Sequence, residues 1–434
     1  MRIAIVGGGI SGLFAAHRLH PEHDITLYEA NDYPGGHTNT VRVDLAEETH
    51  WVDTGFIVLN DRNYPNFEPL LAELGVVTQR SHMSFSVSDG TGDFEYSGTP
   101  RGLFAKPSHA LNRNFLRMIG DLRRFNREAR SLLELAPNEG PSLRRFLAEG
   151  GYGVWFVDRL IVPQASAVWS ADPGQMWEFP ASFLARFFHH HGMLGLRDRP
   201  QWRTITGGSR RYVEEITRPL GERLRLSAPV RSITRHTDGV AIAADGCETE
   251  RYDEVVIASH SDQALAMLTD PSEAERELLG AIAFQPNEAV LHTDDTLLPR
   301  RRAAWASWNF HLADEPSARP GEERSRGAGP ASTAATLTYW MNNLQSLRSK
   351  TNLLVSLNLG DRIDPDKVIC TIPYAHPVFS PDGVAAQARH HEISDVNRTH
   401  YCGAYWRWGF HEDGVVSALK VLEDVGRVAR ALPA

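Results

Sequence analysis

Cysteine is scarce. Cys247, Cys370 and Cys402 are the only three in 434 residues. They lie far apart, with no CxxC pair and no metal-ligand spacing. That argues against a disulfide-stapled secreted scaffold and a cysteine metal site, and for a reducing compartment. Lysine is scarcer still (Lys106, Lys350, Lys367 and Lys420), so the positive charge is mostly arginine. An excess of positive charge is also missing: the net charge of −9 gives no support for binding nucleic acid through its phosphates. No apolar run approaches the ~18–20 residues of a membrane-spanning helix. No leader is expected either, because Arg2-Ile3-Ala4-Ile5-Val6 already reads as a strand. The expectation is a soluble cytoplasmic protein, at most lying on the inner face of the membrane. With 42% hydrophobic and 23% charged residues the composition is that of an ordinary globular chain, and its length suggests two domains.

What is present begins at the amino terminus. Ile3-Ala4-Ile5-Val6 suits a strand buried on both faces of a parallel sheet. It runs into Gly7-Gly8-Gly9-Ile10-Ser11-Gly12, a G-x-G-x-x-G turn, and Leu13 to Leu19 reads as an amphipathic helix. Gly7 permits the tight turn, Gly9 lets the backbone approach a pyrophosphate, and Gly12 lets the helix pack on the strand. The N–H groups at the start of the helix, around Ile10 and Ser11, then face the phosphates with the positive end of the dipole. Asp24 to Tyr28 reads as a second strand ending in Glu29, 22 positions beyond Gly7. That is about the offset from which a carboxylate accepts hydrogen bonds from an adenosine ribose. Turn glycines beside a surface glutamate are the bland alternative, and strand, helix and acid together outweigh it.

After Glu29 comes Ala30-Asn31-Asp32-Tyr33-Pro34-Gly35-Gly36-His37-Thr38. This resembles the E-A-x-x-x-x-G-G motif of the amine oxidase and phytoene desaturase superfamily of flavoproteins. The resemblance implies FAD as cofactor, with a second backbone turn at Gly35 and Gly36 against its pyrophosphate. The superfamily usually continues with arginine, where this chain has His37 and Thr38, so hydrogen bonds are expected there in place of a fixed charge. Val52-Asp53-Thr54-Gly55 resembles the D-x-G turn of the same proteins. Tyr252 to Ala258 resembles their strand returning to the cofactor sheet, and Ala228-Pro229-Val230 the strand whose valine contacts adenine. Near the end, Tyr401-Cys402-Gly403-Ala404 leads through Gly409-Phe410-His411-Glu412-Asp413-Gly414 into a helix beginning at Val415. The resemblance implies that Gly403, Glu412, Asp413, Gly414 and Val415 approach the ribityl chain and the isoalloxazine.

The likeness narrows further. Asn60 to Phe67, Leu71 to Val76, Met83 to Val87, Leu337 to Gln345, Tyr374 to Phe379 and Gly403 to Trp406 resemble one bacterial subgroup of amine-oxidase-like proteins. A fatty-acid desaturase of furan fatty acid synthesis is among its members. The implied fold is α/β with two domains. A Rossmann-like FAD-binding domain (1–65, 205–280 and 385–434) is interleaved with a substrate domain of mixed sheet plus helices (66–204 and 281–384). Residues 313–333, rich in Pro, Gly, Ser, Glu and Arg, read as a flexible loop.

Within the expected substrate domain, residues 110–150 read as helices with Leu116, Ile119, Leu122 and Phe125 on a core face. Arg113, Arg117, Arg123, Arg124, Arg127 and Arg130 make this stretch basic. A solvated helix face is the bland reading; a contact with anionic lipid headgroups is the sharper one. Phe183, Leu184, Phe187, Phe188, Met193 and Leu194 suggest a helix lining an acyl-sized cavity. His189-His190-His191 is not read as a metal site, since consecutive helical residues diverge by ~100°.

For the chemistry, a flavin takes the hydride, and the protein supplies orientation, exclusion of water and a base if one is needed. His376 is one candidate base and His411 another residue expected beside the flavin. A turn histidine at 376 and a capping role at 411 and 412 weigh equally with those readings. Trp308, Tyr339, Trp340, Tyr405, Trp406 and Trp408 are read as core or as walls of an apolar pocket. Cys402 is read as a small buried residue and not as an attachment point for flavin.

Three functions compete. The first is an FAD-dependent dehydrogenase or desaturase acting on a long apolar substrate, by resemblance a methyl-branched fatty acyl chain of a phospholipid. The second is a flavin amine oxidase; many of those use a lysine near the flavin, and none of the four lysines here stands in an equivalent strand. The third is a non-catalytic lipid- and protein-binding member of the fold, like the prenyl-GTPase dissociation proteins, against which the intact glycine turns argue. The electron acceptor is left open.

Overall fold

The computed structural model describes the chain except residues 47, 137–138, 171–174, 179, 196–198, 313–334 and 432–434. The expected loop at 313–333 thus lies outside the described residues.

The first strand, Arg2–Val6, is central in a parallel five-stranded sheet. Its neighbours are Asp24–Tyr28 on one side and Glu254–Ile257 on the other, with Leu224–Arg225 and Thr399–Tyr401 at the edges. Ile3, Ala4 and Ile5 have no exposed surface, as a strand covered on both faces requires. The helix Ile10–Leu19 covers one face and packs against the last helix, His411–Ala431. Gly12 permits the strand-to-helix fit, because a Cβ there would run into the Gly7 carbonyl. Both ends of the chain therefore meet on this sheet. The segment 252–258 is divided: Glu250–Tyr252 joins Val230–His236 and Gly239–Ala244 in a small antiparallel sheet, and Glu254–Ile257 alone enters the parallel one.

A second, seven-stranded sheet runs in the order Val368–Val378, Ala283–His292, Leu354–Leu357, Leu337–Trp340, Trp308–His311, Phe85–Ser88, Glu95–Ser97. Its pairs are antiparallel except Trp308–His311 with Phe85–Ser88. The apolar faces of the helices Arg113–Glu128 and Ala181–His190 join its core. On the first of these helices the buried apolar residues are Phe115, Met118 and Phe125. Of the expected face Phe125 is buried and Ile119 and Leu122 are half-buried against the core, but Leu116 is 46% exposed. Leu116 and Phe115 are adjacent and point about 100° apart, so only one can face the core, and the larger ring takes it. Among the described residues no helix is long and apolar enough to cross a membrane.

Candidate functional site

One cavity of about 1970 Å³ joins the two sheets. That is about twice the upper end of the ~300–1,000 Å³ usual for a small-molecule site. At one end it is lined by Gly7, Gly9, Ile10, Ser11, Glu29, Gly35, Gly36 and His37, with Val230 and Gly403 on adjoining walls. At the other end it is lined by Met118, Ile119, Leu122, Phe125, Leu160, Ile161, Phe187 and Phe188.

The polar end is shaped by the glycines. Gly7 has φ +108, and a Cβ on it would press within 2.9 Å of the Ala258 backbone. Gly35 donates its N–H to Gly8 O at 2.8 Å, which lays the second turn on the first. A Cβ on Gly36 would come within 3.3 Å of Gly9 Cα, whereas one on Gly9 would meet nothing within 4 Å. The first turn of the helix after Gly9 carries N–H groups with no intrahelical acceptor. Glu29 is 6% exposed. Its Oε2 accepts from Gly8 N at 2.7 Å, and its Oε1 accepts from the backbone and side-chain nitrogens of Asn31, both at 2.9 Å. Oε1 is taken by its two donors and Oε2 keeps a second lone pair, so the carboxylate is braced and still able to accept through Oε2.

Behind this end sits a buried polar network that sequence reading did not find. Asp53 has no exposed surface and accepts from Thr40 Oγ1 at 2.5 Å, Ser209 Oγ at 2.7 Å, Ser209 N at 2.9 Å and Gln345 Nε2 at 2.8 Å. Burial nevertheless pushes its pKa up to about 6. It ties the turn after Val52 to the start of the helix Arg210–Thr217 and to the end of the turn Met341–Leu344. Its partners at 209 and 345 are hundreds of positions away, and no local pattern signals them.

Three histidines meet where the ends join. The His37 ring stacks on Tyr374 with centroids 4.7 Å apart, and His376 stands edge-on to it at 5.0 Å. His37 Nε2 is buried and has no hydrogen-bond partner among the described residues. Tyr374 OH lies 2.9 Å from Thr54 Oγ1. Asn287 Oδ1 accepts from Asn358 Nδ2 at 2.7 Å, which fixes the amide so that Asn287 Nδ2 donates to His376 Nδ1 at 2.8 Å. The neutral His376 ring therefore carries its proton on Nε2. Burial pushes its pKa down to about 4 and that of His37 well below the usual value. This corrects the expectation of a base active near neutral pH: His376 is a neutral donor there. His411 differs again. It lies against Phe56, ring centroids 3.6 Å apart, and its Nε2 is 2.8 Å from Tyr212 OH, which in turn is 2.5 Å from Thr38 Oγ1. Burial lowers its pKa to about 3, so its ring is neutral near pH 7, and it lines the cavity.

Several expected cofactor contacts fall elsewhere. Gly12, Thr38, Glu412, Asp413, Gly414 and Val415 do not line the cavity. Glu412 accepts from Asn66 N at 3.1 Å, Asn66 Nδ2 at 2.6 Å and Phe67 N at 3.0 Å, so it caps the helix Phe67–Glu73. Asp413 Oδ2 accepts from Phe410 N at 2.9 Å, closing the start of its own helix. A Cβ on Gly414 would press on Ile10 Cγ2 at 2.7 Å, so this glycine serves the contact between the first and last helices. An acidic helix start reads alike whether it caps or binds, and the chain alone does not separate the two.

Among the aromatics, Trp308, Tyr339, Tyr405 and Trp408 line the cavity, while Trp340 and Trp406 pack against Trp305 and His390. His191 hydrogen-bonds Phe187 O at 3.0 Å through Nδ1. Among the described residues no cluster could hold a metal ion. Cys402 is a buried free thiol, pushed up to about 12 by burial.

Comparisons with known proteins agree with this architecture. Residues 10–425 match the profile described as flavin containing amine oxidoreductase, and the chain belongs to that family. A Mycobacterium tuberculosis protein, AofH, whose name describes a flavin-containing monoamine oxidase, is 27% identical over 288 residues. The match spans 62% of this chain and 59% of that relative's length. Cyclohexylamine oxidase from Brevibacterium oxydans shares the fold with a TM-score of 0.67 at 17% identity, over 99% of each chain. A fatty acid isomerase from P. acnes that produces CLA shares it with a TM-score of 0.63 at 15% identity, over 97% of this chain and 98% of that one. The family binds FAD, and the residues here fit it. The open face of Gly9, the opposed turn at Gly36, the helix start and the braced Glu29 form a cradle suited to a pyrophosphate with its ribose.

Proposed function

We propose that this FAD-dependent oxidoreductase removes hydride from a long apolar substrate, with a fatty acyl chain of a lipid, and a methyl-branched one by resemblance, as the substrate class. The observation that carries the reading is the composition of the cavity wall. Among the described residues the only carboxylates lining it are Glu29 and Asp262, and both lie with the nucleotide-binding elements. The polar residues toward the apolar arm include Arg123, Arg199, Asn126, Gln164, Thr99 and His191 and no acid, among the described residues. An ammonium group in that arm would meet cations and no counter-charge, whereas an acyl chain with an anionic or ester head is matched along its length.

In this reading Gly9, Gly36, Glu29 and the amides of Ile10 and Ser11 hold FAD, and Val230 lies toward the adenine. When bound, FAD supplies the hydride acceptor. The chain does the rest. Phe187, Phe188, Leu122 and Met118 exclude water and align the chain. His376 offers its Nε2 proton without gaining charge, and Tyr374 holds the His37 ring by stacking. The lipid would arrive by a peripheral membrane contact.

A second reading, oxidation of an amine, is supported by the family and by the aromatic wall of Tyr339, Tyr374, Tyr405 and Trp408. One experiment separates them. Holoenzyme is mixed without oxygen with dispersed acyl lipids and, separately, with primary amines, and the flavin absorbance is followed. Bleaching by lipid and not by amine is expected. Bleaching by amine alone overturns the acyl reading.

A further inference from the structure

Three of the nine large apolar side chains that stand exposed among the described residues lie on neighbouring elements, next to residues that line the cavity. Leu111 is 88% exposed, Leu116 46% and Phe104 39%. They sit on two short 3-10 turns, Gly102–Phe104 and Pro107–Leu111, and on the first turn of the helix Arg113–Glu128; the two turns touch each other, and the second touches the helix. The same elements line the cavity from within. Leu103, next to Phe104, and Ile119, one turn beyond Leu116, are lining residues, and Pro100 and Arg123 are lining residues that also reach solvent. The opening and the apolar patch thus belong to one surface.

Its charge is opposite to that of the chain. Residues 101–124 hold six basic side chains and one carboxylate, in a protein of net charge −9. The carboxylate, Asp121, is engaged by Arg124 at 3.2 Å and Arg117 at 3.8 Å. Arg101, Arg113 and Arg123 are exposed. Leucine that projects into water is unfavourable unless something covers it, and exposed arginines on the same elements select a cover that is apolar within and anionic at its rim.

We infer that this face docks on an anionic lipid bilayer, with Leu111, Leu116 and Phe104 entering the acyl boundary and Arg101 and Arg113 meeting the headgroups. Arg123 then stands at the lip where an acyl chain passes from the bilayer into the cavity without crossing water. The inference takes its purpose from the acyl reading above, but its test needs no turnover, so the two fail separately.

Holoenzyme is floated with vesicles of phosphatidylglycerol and phosphatidylcholine in equal parts, and with vesicles of phosphatidylcholine alone. Binding to the first and not to the second is expected, with weakening at high salt. The pair Leu111→Glu and Leu116→Glu, and separately Arg101→Glu and Arg113→Glu, should each weaken binding roughly tenfold or more. Both variants should keep bound flavin and the melting temperature of the parent, since neither pair lines the cavity or packs in the core. The inference is overturned if holoenzyme does not float with anionic vesicles, if it floats equally with neutral ones, or if either variant binds like the parent. It is overturned as well if the protein is a dimer that Leu111→Glu dissociates, because the patch would then be covered by a second copy.

Discussion

At Glu29 and His376 the neighbours decide what each side chain can do. Glu29 holds the Gly8 amide and Asn31, and with the remaining lone pair of Oε2 it can accept from a ribose. Hydrogen bonds to a charged group contribute about 1.5–3 kcal/mol. Glu29→Ala should therefore raise the Kd for FAD roughly ten- to hundredfold, read by titrating apoprotein with FAD and following flavin fluorescence. An unchanged Kd would reduce Glu29 to a brace for the turn. His376 receives its hydrogen bond at Nδ1 and has a pKa of about 4, so its ring stays neutral from pH 5 upward. The rate of flavin reduction by substrate should show no limb near pH 6.5 that disappears in His376→Asn. Such a limb would restore His376 as the base. The glycine turns and Glu29 were legible in the sequence because a backbone that must approach phosphate leaves only one residue type. The tautomer of His376 was not, since it depends on Asn287 and Asn358 in neighbouring strands.

Elements were legible where their period was unambiguous and misjudged where two faces competed. The strands Arg2–Val6 and Asp24–Tyr28 lie where their apolar runs place them. The basic helix lies at 113–128, but in its first turn Phe115 and not Leu116 faces the core, because the two are apolar and adjacent. Glu412 gives the clearest test at this scale. If it caps the helix Phe67–Glu73, Glu412→Ala strands buried N–H groups and costs about 1–3 kcal/mol. The melting temperature should fall while the flavin-to-protein ratio at low temperature stays that of the parent. Loss of flavin with an unchanged melting temperature would return Glu412 to the cofactor.

Across the whole molecule, buried neutral histidines set the response to acid. Six of them (His191, His292, His311, His376, His390 and His411) have pKa values lowered to about 3 or 4 by burial. Their unfolded value is near 6.5, so the stability they contribute is present above pH 6.5 and is lost as pH falls toward 4. Asp53 and Asp413, raised to about 6, act in the opposite sense between pH 4 and 6. Six outweigh two. The melting temperature should drop by roughly 5 °C or more between pH 7 and pH 5, by scanning calorimetry; a rise over that range would mean the histidines are charged in the fold.

At this scale the meeting of the chain's two ends on one sheet was foreseeable from the order of the motifs. The joining of cofactor cradle and apolar arm into one cavity was not, because it needs both sheets in place. That cavity is also the account's most exposed claim. Oxidised holoenzyme titrated with fatty acids of increasing length, and with alkylamines of matching length, reports occupancy through the flavin absorbance. Each buried CH₂ is worth about 0.8 kcal/mol. Affinity for the acids should therefore climb roughly fourfold per methylene until the arm is filled, with the amines weaker at every length. Affinity independent of chain length, or amines bound more tightly than acids, would contradict it.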